Sequence, residues 1–188
     1  MSDELKKIIK SDLYRYTGKI NNKIFIKNIL LNPGFKYSFY MRLCNELTIK
    51  KSKIRKLICR LRLERLMYKF GISIPYQTQI GYGLQIGHFG GIIINNNAVI
   101  GNNLNISQGV TIGQVNRGKN KGYPVIGNNV YIGPGAKIIG SVKIGNNVAV
   151  GANAVVTKDI PDNAVVVGIP AKIISYDGSV GYVNRTDY

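Results

Sequence analysis

The chain has 188 residues, 45% of them hydrophobic and 19% charged, with a formal charge of +17. That composition supplies a core for one domain or a domain with a small appendage and excludes wholesale disorder. No run approaches the roughly 18 apolar residues of a membrane span, the opening residues lack a secretory apolar stretch, and one histidine with two cysteines rules out a histidine pair, a disulfide framework or a Cys/His zinc site.

Residues 1–71 read as a helical, strongly basic region. Ser2 or Asp3 caps a first helix to about Tyr16, stopped by Gly18, and a second helix spans about Asn22–Leu31 before Asn32-Pro33-Gly34. A third runs about Phe35–Leu47 and a fourth about Ser52–Phe70, ended by Gly71. Cys44 and Cys59 fall in these apolar stretches and read as buried thiols of a reducing, cytoplasmic protein. Residues 1–70 hold 18 basic and 5 acidic side chains, densest over 50–69. Ile54, Leu57, Ile58, Leu61 and Leu66 recur there near helical spacing, as in a basic amphipathic helix. Its stripe is expected to pack inward, with peripheral docking on an anionic membrane face as the alternative. Nucleic acid is not an expected partner, because no recognition motif accompanies the charge.

From Ser73 onward one large aliphatic recurs every six residues: Ile74, Ile80, Ile86 and Ile92, then Ile94, Ile100, Ile106 and Ile112, then Ile126, Ile132, Ile138, Ile144, Val150 and Val156. Neither the 3.6-residue helical period nor two-residue strand alternation gives that pattern. A triangular solenoid does, with one short strand and one corner per six residues, glycine and Asn-Asn pairs turning the corners, and roughly five coils in all. A β-sandwich would need hairpin turns and alternation that are absent. The fold class is mainly β, a coil over 72–174 after the helices, with a tail over 175–188 whose role is unread.

The register slips by two residues at Gly87-His88-Phe89-Gly90-Gly91, and a break in a regular repeat is where function is expected. His88 is the only histidine, the residue type that takes and returns a proton near neutral pH. Gly90 and Gly91 beside it either supply N–H groups or permit close approach to a substrate. A second interruption, 114–123, carries Arg117, Lys119 and Lys121 with two glycines and reads as a flexible, basic, protruding loop. Neither Cys44 nor Cys59 lies in the repeat, and Ser107 has no nucleophile elbow, so a covalent-nucleophile mechanism is not expected.

The segments IGHFGGIIINNNAVIGNNLNISQGVTIG (86–113), VIGNNVYIGPGAKIIG (125–140) and VGANAVVTKDIPDNAVVVGIPAKII (150–174) resemble the hexapeptide-repeat, left-handed parallel β-helix acyltransferases. Within them the chain is similar to the serine O-acetyltransferase branch, and NPGFKYSFYMRLCN (32–45) resembles its polysaccharide O-acetyltransferase relatives. The resemblance implies acetyl-CoA as co-substrate, no metal, a homotrimer with sites between subunits, left-handed coiling against the usual crossover rule, and His88 as general base. It also implies that the 114–123 loop encloses a neighbouring subunit's cleft. Coenzyme A contacts are implied at Gly133, Pro134, Gly151, Ala152, Thr157, Lys158 and Lys172, the lysines facing phosphate.

Where serine acetyltransferases have an aspartate before the histidine, another upstream and an Arg-His-Pro triplet in the loop, this chain has Gly87, Ser73 and Gly122-Tyr123-Pro124. Those losses remove partners for a zwitterion, and Tyr123 suits a sugar ring. The expected acceptor is therefore a sugar hydroxyl of a surface polysaccharide or its lipid-linked precursor, met at the inner membrane face. The alternative is a serine O-acetyltransferase of cysteine biosynthesis with an altered pocket.

Overall fold

The computed structural model describes residues 1–188. Four helices come first: α1 (Asp3–Thr17), α2 (Asn22–Leu31), α3 (Pro33–Ile49) and α4 (Lys53–Phe70). Each boundary has a local cause. The Ser2 hydroxyl accepts from Leu5 N–H at 3.1 Å, Asn21 from Ile24 at 2.8 Å and Asn32 from Phe35 at 3.0 Å. Asp3 and Glu4 oppose the dipole of α1, Pro33 opens α3, and Gly18 and Gly71 close α1 and α4 in the left-handed conformation.

Fifteen short strands follow in chain order. They are β1 (Ile72–Ser73), β2 (Gln79–Ile80), β3 (Gln85–Ile86), β4 (Ile92–Ile94), β5 (Val99–Ile100), β6 (Asn105–Ile106) and β7 (Thr111–Gly113). Then come β8 (Val125–Ile126), β9 (Tyr131–Ile132), β10 (Lys137–Ile139), β11 (Lys143–Ile144), β12 (Ala149–Val150), β13 (Val155–Val156), β14 (Val165–Val167) and β15 (Lys172–Ser175). Strands three apart pair in parallel, except that β12 pairs with β14 because the second-face position between them is only the isolated Ile144–Ile160 bridge; the three faces are β1-β4-β7-β10-β13, β2-β5-β8-β11 and β3-β6-β9-β12-β14, here called the first, second and third. β15 adds antiparallel to β14. Ile80, Ile100, Ile126 and Ile144 stack in register along the second face, and Ile86, Ile106 and Ile132 along the third. All are buried, so the six-residue period is the period of the core.

The corner between the second and third faces is an asparagine column. Asn103, Asn129, Asn147 and Asn163 take positive φ of 55–60° there, and their side chains bond in series at 2.8, 2.9 and 3.0 Å. Beside them the side-chain oxygens of Asn102, Asn128, Asn146 and Asp162 accept backbone N–H groups from the coil before. The column answers both demands of a solenoid corner, a left-handed residue and a partner for the turning amides.

The helices close the open end of the first coil, where strand edges would otherwise be unpaired. The Tyr37 hydroxyl donates to Ile74 O at 3.0 Å and accepts from Ile74 N, and Tyr16 does the same at Ile86. Arg42 donates to Ile80 O and Gly81 O and pairs with Asp12, whose other bond is from Leu84 N–H at 2.8 Å. Burial pushes the Asp12 carboxyl up, against the opposing pull of Arg42. Cys44 and Cys59 are buried free thiols, as expected.

Two expectations are corrected, and the tail left unread finds a place. On α4 the inward stripe is Cys59, Leu63, Leu66 and Phe70, while Ile54, Leu57, Ile58 and Leu61 face outward at 53–76% exposure. The helix carries two apolar stripes, and α3 and the coil cover only one. The 114–123 interruption is a small hairpin rather than a flexible loop, because Val115 and Gly122 exchange both backbone bonds and Asn120 is tied to Ser141 N and Thr157 O. The segment after β15 folds back along the asparagine column. Ser179 donates to Asn129 O, Tyr182 stacks on Tyr131, Asn184 O accepts from Arg15, and Arg185 donates to Tyr16 O.

Candidate functional site

His88 lies on the corner between the third and first faces. Seven residues separate Ile86 from Ile94 there, whereas five separate their stacked partners Ile106 and Ile112 one coil on. The two extra residues push the corner outward, so His88 and Phe89 are exposed. Phe89 is not loose, since its ring sits 5.6 Å from Phe70 at the end of α4. Gly90 (φ 110°) and Gly91 (φ 64°) turn the chain back, and a Cβ on Gly91 would lie 3.4 Å from Gly109 Cα in the next coil. Gly90 also offers its carbonyl to Gly109 N–H at 2.7 Å. Gly91 therefore serves close backbone stacking.

His88 opens into a groove of 280 Å³ lined by Lys27, Asn28 and Leu31 of α2, the Asn32-Pro33-Gly34 turn into α3, and Ile86 to Phe89. Gly34 fixes that wall, because a Cβ on it would lie 2.4 Å from Ile86 O. Sequence reasoning missed Lys27, Asn28 and Asn32. The one available signal was Gly34, a poor helix former placed in the first turn of a helix. No carboxylate lines the groove. An exposed imidazole at its lip has the chemistry to take a proton from a hydroxyl and return it to a leaving group.

The other predicted residues divide between two corners. Gly133 with Pro134 and Gly151 with Ala152 lie on the His88 corner, in the later coils, and Lys172 starts β15 beside its last turn. Gly133 leaves no room for a side chain, as its Cβ would be 2.9 Å from Ala152 N. Tyr123, Thr157 and Lys158 lie on the corner between the first and second faces, with the 114–123 hairpin. Within one chain the first face separates that set from His88. A larger cavity, 440 Å³ between α1, α3 and the first coil, holds none of the predicted residues.

The sequence family described as "Bacterial transferase hexapeptide (six repeats)" matches residues 123–158. A serine acetyltransferase of Staphylococcus aureus (strain Mu50 / ATCC 700699) is 44% identical over 108 residues, 57% of this chain and 51% of that protein. The crystal structure of Neisseria gonorrhoeae serine acetyltransferase in complex with serine superposes with a TM-score of 0.75 at 31% identity, covering 92% of this chain and 69% of that one. The chain belongs to the serine acetyltransferase family of hexapeptide-repeat proteins. Its coil is the left-handed parallel β-helix of that family. Serine acetyltransferase from Brucella abortus strain S19, solved in complex with coenzyme A, aligns at 30% identity with a TM-score of 0.73, over 91% of this chain and 66% of that one. The chain spans about half the length of the curated relative from Staphylococcus. The expected closeness to polysaccharide-modifying members gains no support from these relatives, each of which is a serine acetyltransferase. No helix is long and apolar enough to cross a membrane.

Proposed function

We propose that the protein transfers the acetyl group of acetyl-CoA to an acceptor hydroxyl, with His88 as general base. The supporting observation is the two-residue expansion that sets the only histidine at the lip of a groove on an otherwise regular corner. The imidazole takes the hydroxyl proton as the oxygen attacks the thioester carbonyl, and the proton leaves with the thiol of coenzyme A. Coenzyme A lies along the small-residue corner past Gly133, Pro134, Gly151 and Ala152, with Lys172 of the same chain and Thr157 and Lys158 of a neighbouring copy at its polar parts. Because His88 and the Tyr123 hairpin stand at opposite ends of the first face, a complete site needs the hairpin of a second copy beside His88, and a homotrimer supplies it. No metal takes part in this reading.

Serine is the leading acceptor, because the relatives are serine acetyltransferases and one was crystallised with serine. One specific observation favours the second reading, a glycan hydroxyl: the groove carries no carboxylate to receive an ammonium group, with Gly87 next to His88 and Ser73 on β1. The test is thiol release from acetyl-CoA with L-serine and a de-O-acetylated surface glycan in parallel. Turnover lost in His88→Ala is the expected result. Turnover retained within a few-fold in that variant refutes His88 as the base.

A further inference from the structure

The cavity of 440 Å³ between α1, α3 and the first coil is lined by none of the residues at the His88 corner, and acetyl transfer gives it no task. Small-molecule sites fall in the range of about 300–1,000 Å³, and this one is within it. Leu5 and Ile8 of α1, Met41 of α3 and Ile80 of β2 form its apolar walls. The donors among them are already engaged. Arg42 donates to both Asp12 oxygens, to Ile80 O and to Gly81 O, and the Asn45 amide nitrogen donates to Tyr76 O at 2.7 Å. Ser2 donates to the Glu46 carboxylate through its N–H at 2.8 Å and its hydroxyl at 2.9 Å, and Lys50 pairs with the same group.

What remains is mostly acceptor. Thr78 is only 6% exposed and lines the cavity, and its hydroxyl is the one buried side-chain polar group in the protein that nothing in the chain bonds. A turn closed by its N–H onto Pro75 O at 3.0 Å holds it in place. Buried polar groups are ordinarily paired, so this hydroxyl marks the wall where an occupant is missing a counterpart. Asn45 Oδ1 receives no bond, and Glu4 gives one carboxylate oxygen to the Tyr82 hydroxyl and keeps the other free. With Arg42 held by Asp12 and Lys50 by Glu46, Glu4 leaves the lining net negative in a chain of formal charge +17.

We propose that this cavity binds a small primary amine, its ammonium donating to Thr78 Oγ1 and Asn45 Oδ1 beside Glu4 and its apolar body lying against Leu5, Ile8, Met41 and Ile80. An ammonium brings three donors to these acceptors, a hydroxyl one and a carboxylate none. The site shares no residue with the acetyl-transfer reading and does not depend on it.

Hexylamine is the probe, with 1-hexanol and hexanoate as the same body under a neutral and an anionic head. The amine is protonated at pH 7, and the basic field of the whole protein opposes its approach, so saturable binding has to come from a local site. Of the three methionines, Met41 alone lines the cavity, so spectra of the full chain labelled at the methionine methyls locate the ligand, with Met41→Leu assigning the signal. Hexylamine is expected to shift the Met41 methyl saturably, with hexanol at least tenfold weaker and hexanoate without effect. Thr78→Val keeps the shape and removes the hydroxyl. It should weaken hexylamine about tenfold without lowering the urea midpoint, since the lost hydroxyl has no partner in the chain. Thr48→Val is the control, because that hydroxyl bonds Cys44 O within α3 and does not line the cavity, and it should bind as the wild type does. No shift of the Met41 methyl, hexanol or hexanoate bound as tightly as hexylamine, or an affinity unchanged in Thr78→Val overturns the proposal. Thiol release from acetyl-CoA is not part of the readout, so any of these results leaves the acetyl-transfer reading standing.

Discussion

Gly34→Ala is the substitution that best separates how the groove is built from what it does. A methyl group there would stand 2.4 Å from Ile86 O and 2.9 Å from both Ile86 Cβ and the Tyr16 hydroxyl oxygen, all less than the 3.4 Å at which ordinary contact begins. The start of α3 and β3 must therefore part by about 1 Å, and the paired Tyr16–Ile86 bonds at 2.8 and 3.3 Å go with them. Overpacking of this kind costs about 1–3 kcal/mol, and alanine returns up to about 1 kcal/mol as the better helix former. The net loss of stability is then about 0–3 kcal/mol. Activity falls even where stability is nearly kept, because His88 follows Ile86 by two residues and a misplacement of about 1 Å costs on the order of 100-fold in rate. Steady-state thiol release and urea unfolding, run on Gly34→Ala and on Gly87→Ala, give the comparison. Gly87 is the control, since its Cβ would meet nothing nearer than Ile106 O at 3.7 Å. If Gly34→Ala keeps wild-type kcat/KM, the α3 contact does not position the site and the account of the groove wall is wrong.

The open space at Gly87 also admits a carboxylate: Gly87→Asp should lower the KM for L-serine several-fold by giving its ammonium a partner, and an unchanged KM would remove the missing acid as an explanation of acceptor choice. Tyr37 supplies a pH dependence. Burial raises its phenol from 10 to about 12, so the protonated form is the one the fold stabilises. Its contribution is complete below pH 10 and is lost as pH rises to 12, a fall of about 3 kcal/mol that Tyr37→Phe should flatten in alkaline urea titrations. Tyr16, also raised by burial, acts in the same direction and remains in that variant. The outward stripe of α4 gives a further test: binding to anionic vesicles at low salt that drops at least tenfold in Leu57→Glu is expected if the acceptor is presented on a membrane, and co-sedimentation equal in both proteins would leave the stripe without that role.

The coil was legible because its core obeys one rule, a buried aliphatic at every sixth position, and the rule survives both register slips. The helix boundaries were legible for the same kind of reason, since Ser2, Asn21, Asn32, Gly18 and Gly71 act locally. The inward face of α4 was not. Ile54, Leu57, Ile58 and Leu61 are as well spaced as Cys59, Leu63, Leu66 and Phe70, and only packing against α3 chooses between them. His88 announced itself through the slip at 87–91, but the wall opposite comes from residues 27–34, more than fifty positions away, whose pairing with β3 leaves no periodic trace. The hairpin at 114–123 escaped detection because its one internal pair, Val115 with Gly122, is backbone only and its remaining ties run to Ser141 and Thr157, which lie farther along the coil.

Stacked repeats touch only their nearest neighbours, so an array of this kind ordinarily comes apart from whichever end is less well held. The returning segment changes that. Ser179 grips the coil at Asn129, Asn105 donates to Tyr182 O, and Arg15 of α1 reaches Gly83 O, Asn105 and Asn184 together. The last turn of the coil and the first helix are thereby latched to the same early strands. Peeling away the final coil must strain contacts that also seat the helices, and loosening the helices must release the returning segment. Denaturation should accordingly be a single concerted event, with tyrosine fluorescence and far-UV dichroism reporting one midpoint.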